Sequence, residues 1–310
     1  MKNKIAFFLG FLISLTNLFL WQKAGFSGLS TALGGKNWFI SPLIVSFPSD
    51  RAEVLSESDS AADFSQFNTL PAGEKIFAQG AYAYDLTAQR VIFDQNSRKR
   101  LQAASTVKIV TAAVALDKGK LDELLTVNYF PTVVGESSMN LVFSDKLTLK
   151  ELLYGLLLVS GNDAAETIAQ GLAGKREVFI EWMNEFAQKV GAKNTHFTTP
   201  SGLDEDGQYT TAYDLFLLGK NVFEQYPIVA EISTTREKII PESADHRSYY
   251  LRNELLILDS FPIIGGKPGL GEGNLYSLVA LLKKDDRRIL VILIRTPTIS
   301  RDLEQILKIS

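Results

Sequence analysis

No cysteine occurs anywhere in the 310 residues, and histidine occurs only twice. A chain without cysteine has no disulfide framework and no cysteine-ligated zinc site. That absence fits an oxidising compartment in which disulfides are not needed, and it fits many cytosolic proteins equally well. The two histidines, His196 and His246, give no paired spacing for a metal, so no metal and no cofactor are expected. A serine–histidine–aspartate triad would have to recruit one of them. Positive charge is not in excess: 32 Lys and Arg stand against 35 Asp and Glu, a net charge of −3. With no basic stripe along the chain, no nucleic-acid partner is expected. Internal repeats are also missing. Glycines 265, 266, 269, 271 and 273 cluster in "GGKPGLGEG", but no Gly-Lys-Ser/Thr ending and no helix follow, which excludes a phosphate loop.

Long hydrophobic runs are scarce as well, with one exception at the start. After Lys2 and Lys4, residues 5–21 are apolar. As a helix this run would span roughly 25 Å, just short of a bilayer core. The two lysines favour an orientation with the N-terminus inside. No clean small-residue cleavage site follows, so a signal-anchor over residues 1–23 is expected, with a cleaved signal peptide as the alternative. Either one exports the chain to the far side of the cytoplasmic membrane. Residues 24–74 are rich in Gly, Ser, Pro, Asp and Glu and read as a flexible linker.

The folded domain is expected over 75–310. "IFAQGAYAYDL" and "RVIFDQN" predict a strand hairpin turning around Thr87–Gln89. A helix begins near Ser105. From Leu147 to Phe223 the pattern is helical, punctuated by Gly161, Gly174 and Gly191. After Pro227 strands are expected to return, ending in the apolar "NLYSLVALLKK" and "RRILVILIRT", and a last helix closes the chain. Strands at both ends with helices between predict an α/β (α+β) fold: an antiparallel sheet flanked by helices, with an inserted helical lobe.

The chemistry centres on "AASTVKIVTAAVAL", residues 103–116. Ser105 and Lys108 lie at i and i+3 and share one helix face. An amine kept neutral by burial and by neighbouring cations can take the proton of an adjacent hydroxyl. Alone, a Ser-x-x-Lys pattern is weak and reads equally well as a capping serine and a surface lysine. A lysine inside so apolar a segment is less ordinary. "VSGNDAAE" then places Ser160 and Asn162 on a turn between helices, where a plain capped turn is the simpler reading. "IIGGKPG" places Lys267 and Gly269 at the end of an apolar strand, or in a Gly/Pro hairpin turn.

Serine-x-x-lysine, serine-x-asparagine and lysine-x-glycine, in that order, resemble the three motifs of the penicillin-recognising serine enzymes. "KNTHFTTPSGLDEDGQYTTAYDL", residues 193–215, resembles a stretch of the D-alanyl-D-alanine carboxypeptidases among them, the low-molecular-weight penicillin-binding proteins. The resemblance spans about residues 76–308. It implies a β-lactamase/transpeptidase-like fold and a monomeric serine D,D-peptidase acting on peptidoglycan stem peptides and inhibited by β-lactams. It further implies Ser105 as nucleophile, Lys108 as its base, Ser160 and Asn162 as relay and positioning pair, and Lys267 with Gly269 in the third motif. The oxyanion would be held by the N–H groups of Ser105 and Leu270. His196 falls in the family's structural stretch and His246 in a polar loop, so neither is expected to be a base. A serine β-lactamase would need a Glu-x-x-x-Asn pattern between Asn162 and Lys267, and none is present. One departure stands out. The third motif usually reads lysine-threonine-glycine, and here the middle residue is Pro268, which has neither hydroxyl nor N–H. Weak binding of a terminal carboxylate is expected from it. A wall-binding protein that kept the fold without the activity is the remaining alternative.

Overall fold

Two consecutive apolar strands form the centre of the molecule. The computed structural model describes Leu70 and residues 74–203 and 206–310; the expected anchor at 5–21 lies outside them. Strands β8 (Leu275–Lys284) and β9 (Arg287–Thr296) pair antiparallel around a tight turn. Ahead of them come β1 (Gly80–Asp85), β2 (Arg90–Gln95) and β7 (Ile263–Gly271), and the sheet order is β2-β1-β9-β8-β7, antiparallel throughout. Side chains on a strand alternate between faces. Along β9, Leu290, Ile292 and Ile294 join one core cluster, while Ile289, Val291 and Leu293 join another. The unbroken apolar run 289–294 therefore serves two cores, and each such side chain contributes about 1.5–3 kcal/mol on full burial.

One face carries the helical lobe. Its helices are α1 (Lys108–Lys118), α2 (Leu149–Leu158), α3 (Asn162–Ala173), α4 (Arg176–Val190), α5 (Ala212–Gln225) and α6 (Pro227–Ser233). The central helix α1 is buried from Lys108 to Ala115, and its alanines let α2 to α5 approach closely. The other face is covered by α7 (Ile299–Ile309), which inserts Leu303 and Ile306 into the second core. Asp302 on α7 is fully buried. Its carboxylate accepts from the N–H groups of Phe77 and Ala78 at 2.9 Å each and from Thr296 Oγ1 at 2.7 Å. The incoming chain is thus fastened to the last helix just before β1.

Two details differ from the sequence reading. Strands do not resume at Pro227; α6 comes first, because proline at a first helical position has its φ already set and loses no hydrogen bond. Two short pairs also lie outside the main sheet: β3 (Leu124–Thr126) with β4 (Lys146–Thr148), and β5 (Glu237–Ile240) with β6 (Tyr249–Arg252). Gly174 and Gly191 end their helices in the left-handed region, as their spacing predicted. Among the described residues no helix is long and apolar enough to cross a membrane.

Candidate active site

The nucleophile candidate sits on a strained corner. A 3-10 turn, Ala104–Val107, precedes α1, and no side chain caps either start. Ala104 has φ 48°, a left-handed value that costs a residue with a Cβ about 1–2 kcal/mol. Two glycines crowd this corner. Gly202, itself at φ +78°, lies so close that a Cβ would come within 2.3 Å of the Ala104 carbonyl oxygen. A Cβ on Gly269 of β7 would come within 2.9 Å of the Ser105 nitrogen. Backbone meets backbone at both places, and no larger residue fits without moving Ser105.

Lys108 is fully buried, at 0 % exposure. Its Nζ lies 2.8 Å from Ser105 Oγ, 2.8 Å from Asn162 Oδ1 and 2.6 Å from the Ser201 carbonyl oxygen. The last two atoms can only accept. Burial, helped by the nearby Lys267 cation, holds the amine well below its ordinary range, against the opposing pull of Glu136, Glu254 and Asp163. A neutral amine has two N–H groups and one lone pair. With both N–H groups donated to Asn162 and Ser201, the lone pair is left for the Ser105 hydroxyl.

Ser160 and Asn162 stand at the start of α3. Ser160 has φ 57° and Gly161 is the N-cap, without a capping side chain. Asn162 Nδ2 donates to the Gly135 carbonyl at 2.9 Å, leaving Oδ1 turned to Lys108. Asp163 next to it is structural. Its carboxylate accepts from the Met139 and Leu141 N–H groups and from Ser138 Oγ, and so ties the 135–141 loop to α3. Ser160 Oγ accepts from Lys267 Nζ at 3.0 Å. Lys267 is also fully buried, in the middle of β7 rather than in a hairpin turn. Burial pushes it down to about 8, against the pull of Glu254. Both amines are therefore held below the ordinary lysine range, Lys108 well below it.

These groups open onto a cleft of about 590 Å³ lined by Ser105, Ser160, Pro268, Gly269 and Leu270. Glu136 and Glu254 line it too. Partial desolvation raises the Glu254 carboxyl, while Lys267 and Lys108 pull it back. Every residue singled out from the sequence thus lies at one place: Ser105, Lys108, Ser160, Asn162, Lys267, Gly269 and Leu270. Neither histidine lines the cleft. His196 pairs through its backbone with Tyr209, and His246 lies 3.8 Å from Glu151. Four participants were not foreseen: the Ser201 carbonyl, Gly202, Glu136 and Glu254. The first two fall inside the 193–215 stretch, whose resemblance marked the region without assigning a role. Nothing in the sequence around Glu254 marks it.

A family model described as D-alanyl-D-alanine carboxypeptidase matches residues 66–298. The D-alanyl-D-alanine carboxypeptidase DacF of Bacillus subtilis is 32% identical over 228 residues, which is 71% of this chain and 58% of that protein. The chain therefore spans less than two thirds of that relative's length. Among solved structures, a D-alanyl-D-alanine carboxypeptidase from Mycobacterium tuberculosis H37Rv superimposes with a TM-score of 0.70 at 29% identity, covering 78% of this chain and 94% of that one. Penicillin-binding protein D2 from Listeria monocytogenes, solved in the ampicillin-bound form, gives 0.66 at 25% identity, covering 77% and 99%.

Proposed function

The chain belongs to the D-alanyl-D-alanine carboxypeptidase family, and on that premise we propose that it is a serine D,D-peptidase acting on peptidoglycan stem peptides. The carrying observation is the 2.8 Å contact between Lys108 Nζ and Ser105 Oγ, made by an amine whose other hydrogens are already donated.

In the reaction, neutral Lys108 takes the Ser105 hydroxyl proton as Oγ attacks the carbonyl carbon of the penultimate D-alanine. Negative charge develops on the carbonyl oxygen. The N–H groups of Ser105 and Leu270 receive it, acting where charge appears. The C–N bond then breaks. The departing amine of the terminal D-alanine takes a proton from Ser160, which is resupplied from Lys267 and Lys108. Water hydrolyses the resulting ester and restores Ser105. A β-lactam follows the same first step, but its amine stays tethered to the acyl group.

The test is mass spectrometry of the protein after incubation with penicillin. One adduct on the Ser105 peptide is expected, and none in Ser105→Ala. An adduct elsewhere, or equal labelling of the alanine variant, removes the assignment.

The reading extends to place. Residues 5–21 anchor the chain with its domain outside the cytoplasmic membrane, and the linker gives it reach; Lys2, Lys4 and the apolar run support this. The domain acts as a monomer. Protease added to wall-permeabilised intact cells is expected to degrade it, and protection would contradict the topology.

A further inference from the structure

The cleft is lined by charge of one sign. Its lining carboxyl groups are those of Glu136 and Glu254, and no arginine or lysine stands among the lining residues. The amines on its buried floor, Lys108 and Lys267, are already engaged. Lys108 donates to Asn162 and Ser201. Lys267 donates to Ser160 Oγ and to the Pro268 carbonyl, at 3.0 and 3.1 Å.

The edge of β7 withholds a donor at the same place. The Gly266 N–H points away from β8 and donates to Ser233 Oγ at 3.1 Å. N–H groups two residues apart along a strand point the same way, and the pairing of β7 with β8 runs without a shift from Gly265 to Gly271. Positions 268 and 270 therefore turn toward the open edge. Pro268 has no N–H and no hydroxyl to offer there, and it is tolerated because an edge strand needs none. Leu270 is the backbone donor that remains.

A peptide with a free carboxylate beside its scissile bond would meet two like charges and find no cation on the walls and one donor missing. The same bond inside a longer peptide, or before an amide, meets none of these penalties. We infer that this site cleaves bonds whose leaving residue carries no free carboxylate, an internal or amidated D-alanyl–X bond, in preference to a free C-terminal D-alanyl-D-alanine. The inference rests on the acyl-enzyme reading above and changes only which leaving group is served best. The bonds made and broken are the same: Ser105 Oγ joins the acyl carbon, the amine leaves with its proton, and water then cleaves the ester.

The experiment compares kcat/KM of the full chain on diacetyl-Lys-D-Ala-D-Ala and on its C-terminal amide. The amide is expected to be the better substrate. In Pro268→Thr the ratio should move toward the free acid by about 10- to 150-fold, the worth of one charge-assisted hydrogen bond. Glu254→Gln, an exposed and nearly isosteric change, should move the ratio of the two substrates toward the acid, with an effect that shrinks as salt is added. That variant carries the test if Pro268→Thr does not fold. A wild type that prefers the acid overturns the inference and leaves the acyl-enzyme reading standing. Turnover of neither peptide overturns both.

Discussion

Helices α1 and α2 pack against each other and begin in opposite ways. At the start of α2, Thr148 Oγ1 accepts from the Glu151 N–H, while the Glu151 carboxylate accepts from the Thr148 N–H at 2.8 Å. Helix α5 starts on Thr211, which accepts from the Asp214 N–H. The start of α1 has no such device, a strained Ala104 before it and a buried lysine in its first turn. The start of α3 likewise follows a left-handed Ser160 and has no capping side chain. The two capped starts hold up the lobe. Of the starts without a capping side chain, which also include those of α4, α6 and α7, those of α1 and α3 supply Ser105, Lys108, Ser160 and Asn162. The physical reason lies in the donors. A capping side chain occupies the first free N–H groups of a helix, and in the proposed reaction the Ser105 N–H is the group needed by the substrate oxygen. Stability is forgone where donors must stay available.

The largest expected effect comes from Lys108→Ala. Acylation of Ser105 by penicillin should fall by about 10²–10⁴-fold, the contribution of a matched general base. Circular dichroism should show the fold retained. Lys108→Arg should fail as well, because a guanidinium stays protonated. In the wild type, acylation should rise with pH as Lys108 loses its proton and fall again above about 8 as Lys267 loses its own. Near-normal labelling of Lys108→Ala would assign the base elsewhere and dissolve the contrast between the two helix starts.

Next in size is a paired glycine test. Gly202→Ala should cost clearly more than about 1 kcal/mol and also slow acylation, because the left-handed backbone and the Ala104 carbonyl both oppose a methyl group. Gly174→Ala has φ +72° but nothing within 4 Å, so it should cost about 1 kcal/mol and leave acylation alone. Denaturant midpoints and penicillin labelling read both. Equal losses of activity would mean that Gly202 has no special hold on the nucleophile.

Thr148→Ala should remove about 1 kcal/mol of stability, as loss of a helix cap does, with labelling unchanged. The smallest effect is expected for Ala104→Gly. It relieves the left-handed strain but adds chain entropy to the unfolded state, for a net gain within about 1 kcal/mol. If Thr148→Ala slowed acylation as much as it lowered stability, the division of labour between the helix starts would be lost.

How much of this the sequence disclosed depends on what each feature consists of. Strands β8 and β9 were legible because a strand buried on both faces is apolar at every position. Ser105, Lys108, Ser160, Asn162 and Lys267 were legible because their chemistry resides in side chains at characteristic spacings. The Ser201 carbonyl was not, since every residue has one and only the fold decides which faces Lys108. The strain at Ala104 was hidden for the same reason: alanine does not announce a positive φ. Glu254 belongs to no pattern and becomes notable only when β7 brings Lys267 beneath it. Helix α6 was missed because Pro227 was read as the close of a helical region, whereas in the structure it begins a new helix.

Asp302 has a mechanical consequence. The chain enters the domain through β1, which lies between β2 and β9, and the buried carboxylate clamps residues 77 and 78 to α7. A pull on residue 74 directed along β1 would load both ladders in shear, so that many hydrogen bonds resist together instead of opening one after another. Tension at the entry point would thus be borne by β1, its two neighbouring strands and α7 together.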